Sequence, residues 1–361
     1  MLSLRGLKEN SFMFAEKHYP DLMLPEALDN YLDRGWYRMG QSIFTTHFLC
    51  FNRSYYSAVW VRQPLAGYRY SGSLRKIIRR CQSKFRTEFH QASITPEKEA
   101  LYQNYRVAFP GMIAPSLQDS LLDGSDYNIF DTYEVCVYDG GKLVALSYFD
   151  LGARSVASIM GIYEPSYRAH SLGIYTMLME IAFCLDNQLD FFYPGYVVPG
   201  YPRFDYKLRI GPVEYFDLAA DGWRPFSELE QQAPPLQLME HRLAELQQYL
   251  RHHQRRSRLM YYPLFEANLF GFWQAPYLDH PVFLLCSDAD NTNAFNLIIY
   301  EPREQGFQLL RCSLFNDLHF YFNESYTQSF DPRFNFLKLL AVDEVLEKSP
   351  SPERILRAMG G

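Results

Sequence analysis

No run of about 18 apolar residues occurs anywhere in the 361-residue chain, so no helical membrane span is expected. Cysteine is sparse and scattered. The six, at positions 50, 81, 136, 184, 286 and 312, include no CxxC and no close pair. That spacing suits neither a zinc site nor a dense disulfide framework, and it points to reduced, mostly buried thiols of a cytoplasmic protein. Positive charge is also in deficit, with 35 Lys and Arg against 41 Asp and Glu and a net charge of −6. A protein that coats nucleic acid in general is thereby disfavoured, although a local basic patch is not. The first residues, MLSLRGLKENSFMF, hold no continuous apolar core ahead of a small-residue cleavage site, so secretory targeting is not expected. There is no internal repeat and no low-complexity tract.

Aromatic residues, by contrast, are abundant: 28 Tyr, 28 Phe and 4 Trp. Such side chains favour strands and buried sheet faces, and they also line pockets that grip planar groups. After a strand-rich lead-in over residues 1–70, punctuated by Asp33-Arg34-Gly35-Trp36, the spacing of Leu74, Ile77, Ile78 and Cys81 marks one apolar helix face. Arg75, Lys76, Arg79 and Arg80 fall on the other face. Between Arg69 and Arg86 there are seven basic residues and no acid, a pattern that suits a nucleic-acid backbone or a solvated helix face.

A second helix is signalled where Thr95 can cap, Pro96 opens the first turn and Glu97 and Glu99 follow. Strand signals at 132–138 and 142–150 flank Asp139-Gly140-Gly141, a tight hairpin turn. A strand over 156–163, a helix over 171–186 and an aromatic strand over 190–196 come next. Periodicity alone makes this α+β. The order helix, antiparallel strands, helix, strand is that of the GCN5-related N-acetyltransferase (GNAT) core, a mixed sheet with a helix launched from its central strand. The expected divisions are 1–94, 95–225 as the acyltransferase core, a linker and helix over 226–258, and an α+β extension over 259–361. Within the last two, a helix is expected over about 236–258. Strands are expected at 282–287, 295–301, 308–313 and 318–323, and a short helix near 352–359.

The chemistry concentrates between Tyr163 and Pro212. Arg168, His170, Ser171, Leu172 and Gly173 lie between a strand and an amphipathic helix. A strand-to-helix turn leaves backbone N–H groups unpaired at the positive end of the helix dipole, where a phosphate is favoured. Acetyltransferases use Arg/Gln-x-x-Gly-x-Gly/Ala there to hold the pyrophosphate of coenzyme A; here Ser171 replaces the first glycine. The alternative is an ordinary capped helix with Ser171 as the cap. His252-His253 with Arg251, Arg255, Arg256 and Arg258 reads as a cationic helix end, since adjacent histidines on a helix point apart. Asp288, Asp290 and Asn291 lack the spacing of a calcium loop and read as a turn.

Taken in order, Tyr163-Glu164-Pro165, Ser171-Leu172-Gly173-Ile174-Tyr175, Tyr193-Pro194-Gly195-Tyr196 and Tyr206-Lys207-Leu208-Arg209-Ile210-Gly211-Pro212 resemble the arginyl-tRNA–protein transferase family, whose bacterial relatives transfer leucine. Upstream, Asp33-Arg34-Gly35-Trp36, Arg38 and Gly40 are similar to that family's DRGWRRSG, and the 71–80 segment to its basic helix. The resemblance covers about residues 30–225. It implies a GNAT-like fold and transfer of an aminoacyl group from charged tRNA to the N-terminal amine of a protein or peptide. No cofactor is expected, and no metal either, because without the family's cysteine cluster four soft ligands cannot be assembled. The Ser171–Gly173 turn would then hold phosphates of the tRNA acceptor end, and Arg75, Lys76, Arg79 and Arg80 its backbone. Tyr196, Tyr206 and Lys207 are the candidates for the acceptor pocket, with Glu164 or Asp205 as proton acceptor, or the leaving ribose hydroxyl itself. The chain departs from the family in lacking its N-terminal cysteine cluster, in Tyr201 where the family has cysteine, and in Arg203-Phe204 for its Lys-Met. Two alternatives stand beside this reading: an N-acyltransferase using coenzyme A, and a non-catalytic RNA- or protein-binding relative.

Overall fold

The structure, a computed structural model, describes residues 13–111, 113–229, 231–270, 276–286, 294–315 and 324–360. The turn at Asp288, Asp290 and Asn291 and the strand expected at 318–323 lie outside them. The chain divides into two compact units that do not follow the expected boundaries. One comprises 18–44 and 58–232; the other comprises 45–57 and 233–360 together with the described residues before 18.

The first unit contains helix α1 (Pro25–Leu32), strand β1 (Tyr37–Met39) and the first three residues of strand β2 (Ser42–Thr46), which pairs with β1 as a short hairpin. Its main sheet is built from β3 (Val59–Pro64), β4 (Arg86–Gln91), β5 (Thr132–Asp139), β6 (Lys142–Leu151), β7 (Ser155–Tyr163), β8 (Phe191–Val197), β9 (Glu214–Asp217) and β10 (Gly222–Pro225), in the order β10-β9-β3-β8-β7-β6-β5-β4. Strand β4 pairs with β5 from Arg86–Tyr138 to Gln91–Tyr133, so no division falls near residue 94. The hairpin at Asp139–Lys142 forms as its glycines demand.

Three helices serve this sheet: α2 (Gly72–Gln82), α3 (Pro96–Ala108) and α4 (Leu172–Asp186). Ser71 Oγ accepts from Leu74 N at 3.4 Å, and Thr95 Oγ1 from Lys98 N at 3.3 Å, closing the N-termini of α2 and α3. On α2, Leu74 and Cys81 are buried while Arg75, Lys76, Arg79 and Arg80 are exposed. Helix α4 is buried nearly all round. Leu172, Tyr175, Leu178 and Ile181 join Val135, Val137, Val144, Phe149 and Val156 in one core, which suits a helix that is apolar on most faces.

Strands β7 and β8 are parallel, and this pair positions the site. They pair only at Ser155–Phe191, Val156–Phe192 and Ala157–Tyr193, although β7 continues to Tyr163 and β8 to Val197. A register shift between Ser158 and Met160 against β6, and another between Phe192 and Gly195 against β3, turn the two strands apart. A mixed sheet whose parallel strands diverge, with α4 joining them, is the GNAT-like arrangement expected from the sequence.

In the second unit, α5 (Pro235–His252) buries Leu236, Met239, Leu243, Leu246 and Leu250, a three-and-four spacing along one face. An antiparallel sheet runs β11 (Arg258–Tyr261), β12 (Val282–Leu285), β13 (Ala294–Glu301), β14 (Gly306–Leu314) and β15 (Leu340–Ser349), followed by α6 (Pro352–Ala358). The helix expected to reach Arg258 stops at His252, because Gln254 adopts a left-handed conformation and turns the chain into β11.

Candidate active site

The two residues that directly follow Asp33-Arg34-Gly35-Trp36, Tyr37 and Arg38 on β1, take different roles. Arg38 is buried. Its Nη1 lies 2.8 Å from Asp150 Oδ1 and 2.9 Å from Thr132 Oγ1, tying β1 to the sheet. Burial raises the Asp150 carboxyl in spite of that guanidinium. Its neighbour Tyr37 is the residue the sequence did not single out. The Tyr37 hydroxyl is 2.7 Å from the Tyr193 carbonyl and also reaches the Ser158 carbonyl, so it sits where β7 and β8 part. Its ring stacks on Trp60 at 5.3 Å. Burial, reinforced by Glu180, Asp150 and Tyr206, holds this hydroxyl well above its ordinary pKa.

Glu180 on α4 also carries no motif in the sequence. It is fully buried, and neither carboxyl oxygen has a hydrogen bond of normal geometry. Burial pushes its pKa up to about 8, against the opposing effect of the Ser147 and Ser158 hydroxyls. An acid set between Met179 and Ile181, in the apolar middle of a helix, is the signal that could have found it.

Above this floor the structure brings together Tyr196, Tyr206 and Lys207. Lys207, in the 3₁₀ segment Pro202–Ile210, donates from Nζ to the Tyr196 carbonyl at 2.9 Å. Its ammonium lies 5.3 Å from the Tyr196 ring centroid and 5.4 Å from that of Phe204. Desolvation lowers its pKa to about 7, and among the described residues no carboxylate pairs with it. Gly195 makes this position possible. Its φ is +93°, and a Cβ there would come within 3.1 Å of Lys207 Nζ. Tyr206 is 38% exposed, yet burial of its hydroxyl end, with Tyr105 and Glu180 nearby, pushes its pKa up to about 12. Tyr105 in turn packs on Tyr163 at 5.6 Å.

The structure gives Glu164 other work. Its carboxylate is 3.6 Å from Lys142 Nζ and accepts from Asn104 Nδ2 at 3.2 Å and Ser166 Oγ at 3.5 Å. Asp205 is exposed.

The turn before α4 carries Arg168, exposed, and His170, half-buried. Ser171 does not cap with its side chain; it takes φ +59° and presents its carbonyl to Ile174 N and Tyr175 N. The N–H groups of Leu172 and Gly173 open the helix and have no partner within it. A Cβ at Gly173 would meet only the Tyr163 ring, at 3.7 Å, so the fold itself does not require glycine there. Arg80 Nη2 donates to the His170 carbonyl at 3.1 Å and reaches Ser171 Oγ at 3.5 Å, and Lys84 Nζ lies 3.3 Å from His170 Nε2. The basic face of α2 and the turn are therefore one continuous surface. Among the described residues, Arg75, Lys76, Arg79 and Arg80 form no ion pair, and no group of three or more His, Cys, Asp or Glu could hold a metal.

Comparison with known proteins matches this region. Residues 82–217 match the family described as "Arginine-tRNA-protein transferase, C terminus". The chain is 27% identical over 201 residues to an aspartate/glutamate leucyltransferase of Leptospira interrogans, covering 54% of this chain and 76% of that protein. It is 30% identical over 175 residues to the enzyme of that name from Phenylobacterium zucineum, covering 46% of this chain and 67% of that one. Among solved structures, a GCN5-related N-acetyltransferase-like protein from Streptococcus suis aligns with a TM-score of 0.28 and 14% identity, over 47% of this chain and 62% of that one. With helix α2 beside the matched span and the turn before α4 and the divergent strands inside it, the chain belongs to the arginine-tRNA–protein transferase family.

Proposed function

We propose that this chain transfers an aminoacyl group from charged tRNA to the N-terminal amine of a protein or peptide, in the cleft between β7 and β8. The observation that carries the reading is the junction made by Arg80, which joins the unpaired cations of α2 to the helix start at Leu172 and Gly173. Phosphates of an acceptor stem would follow α2 and end at that turn, favoured by neutralisation along α2 and by the N-terminal dipole of α4. The 3′-terminal ester would then lie towards Tyr206 and Lys207.

The chemistry is attack of an amine on an ester. A protein α-amine has a pKa of about 7.7–8.0, so the nucleophile must lose a proton. Lys207, with its pKa near 7, is half neutral at neutral pH and takes the place of general base, in preference to the Glu164, Asp205 or ribose hydroxyl that the sequence left open. The Tyr206 hydroxyl remains protonated there, since its pKa is about 12, and donates to the carbonyl oxygen as negative charge develops. The ester bond to ribose breaks and the amide forms. The donor arrives activated, so this reaction needs neither cofactor nor metal.

The activity for which the relatives are named makes leucyl-tRNA, with peptides bearing N-terminal aspartate or glutamate, the first pair to test, followed by the other charged tRNAs. A peptide gaining the mass of one amino acid residue supports the proposal. No product with any charged tRNA, together with acyl transfer from an acyl-coenzyme A, would replace it with the coenzyme A reading. Salt-sensitive tRNA binding without product in either arm would leave a non-catalytic relative.

A further inference from the structure

The second unit holds a cavity of about 530 Å³ lined by Gln247, Arg251, Gln254, Arg255, Arg256 and Ser257. Its volume is within the range of ligand sites. The wall carries three guanidinium groups with five N–H each, the Gln254 carboxamide and the Ser257 hydroxyl, with no carboxylate; the Gln247 carboxamide already donates from Nε2 to the Ser257 carbonyl at 3.0 Å.

The ordinary account of arginines at a helix C-terminus is that they satisfy its last carbonyls. That account fails here, because the backbone has already closed the end of α5. Gln254 N donates to the Arg251 carbonyl at 3.0 Å, Arg255 N to the Leu250 carbonyl at 2.9 Å, and His253 N to the Tyr249 and Leu250 carbonyls at 3.3 and 3.1 Å. Gln254 holds φ +58° to make this closure, a conformation non-glycine residues rarely adopt. The turn it produces brings Arg255, Arg256 and Ser257 back over the last turn of the helix.

Among the described residues no carboxylate pairs with Arg251, Arg255 or Arg256. Arg255 donates to the Gly360 carbonyl, and Glu353 on α6 is taken by the Ser351 hydroxyl. Arg251 and Arg256 remain exposed. Ser257 Oγ is buried without a hydrogen-bond partner, a donor left unused beside the three cations. Clustered guanidinium groups with neutral donors and no acid are chemistry for a phosphate.

We propose that this cavity binds a backbone phosphate of RNA, giving the tRNA donor a contact in the second unit, outside the family-matched span. The inference rests on the transferase reading, which supplies a polyanionic substrate to a chain of net charge −6.

The test compares the full chain with Arg251→Glu/Arg256→Glu and with Ser257→Ala. It measures anisotropy of labelled uncharged tRNA across a salt series, with inorganic pyrophosphate and a labelled Glu-rich peptide as separate ligands. The expected result is weaker tRNA binding by the double variant and a log K against log salt slope shallower by about 2. Ser257→Ala should weaken binding without changing the slope. Aminoacyl transfer from a short charged acceptor-stem hairpin should be unchanged in both, which also shows that the variants fold. An unchanged slope and affinity would overturn the proposal. So would loss of pyrophosphate or peptide binding with tRNA binding intact, which would assign the cavity to a free anion or an acidic peptide. If hairpin transfer is absent even in the wild-type chain while the slope change holds, the transferase reading fails and the RNA site stands.

Discussion

Glu180 and Lys207 are both enclosed where charge is costly, and each responds by moving towards its neutral form. For Glu180 the folded-state pKa is raised from 4.5 to about 8. Folding therefore favours the protonated acid: the full stability is present below the unfolded value and is lost as pH rises towards about 8. Glu180→Gln keeps the shape and removes the titration. In denaturant melts it should equal the wild type near pH 4.5 and exceed it by a few kcal/mol above pH 8, since each tenfold change in proton affinity is worth about 1.4 kcal/mol. Identical stabilities of the two proteins across that window would mean that Glu180 is solvated in solution. The sequence made Tyr196, Tyr206 and Lys207 visible because they fall inside contiguous motifs. Tyr37 and Glu180 were not visible, because what makes each special is a neighbour far along the chain: the carbonyls of Ser158 and Tyr193 for the first, the closure of the α4 core for the second.

At the scale of elements, α2 and the α4 turn act as a pair. Arg75 and Arg79 project from α2 into solvent, whereas Arg80 holds the backbone of the turn. The two kinds of cation should separate experimentally. Arg75→Ala/Arg79→Ala should flatten the salt dependence of tRNA binding by about 2 in log–log slope while leaving single-turnover transfer at saturating tRNA unchanged. Arg80→Ala should lower both, because the turn loses its tether. Equal effects of the two variants on turnover would show that the tether has no part in placing the ester. Helices α2, α3 and α4 were legible through apolar spacing and caps such as Thr95. The end of α5 was not, since a left-handed Gln254 leaves no glycine or proline to read. Strand β15 was missed for a different reason: its exposed, charged stretch Asp343-Glu344 lacks apolar alternation, and its pairing with β14 holds it in the sheet.

For the whole molecule, the unit boundaries escaped the sequence because both units are discontinuous, with residues 45–57 grouped with 233–360. Composition carries no mark of such long-range assignment. What the sequence did carry was the order of the motifs that converge on the divergence of β7 and β8, and the central claim is that aminoacyl transfer takes place there with Lys207 receiving the proton. The most direct test is the pH dependence of single-turnover transfer to a peptide by the wild-type chain and by Lys207→Met. The wild-type rate should rise through pH 7, following Lys207. The variant should be slower by about 10²–10⁴-fold, with its remaining rise moved to the α-amine of the peptide at about 7.7–8.0. A Lys207→Met protein with the wild-type rate and profile would contradict the account.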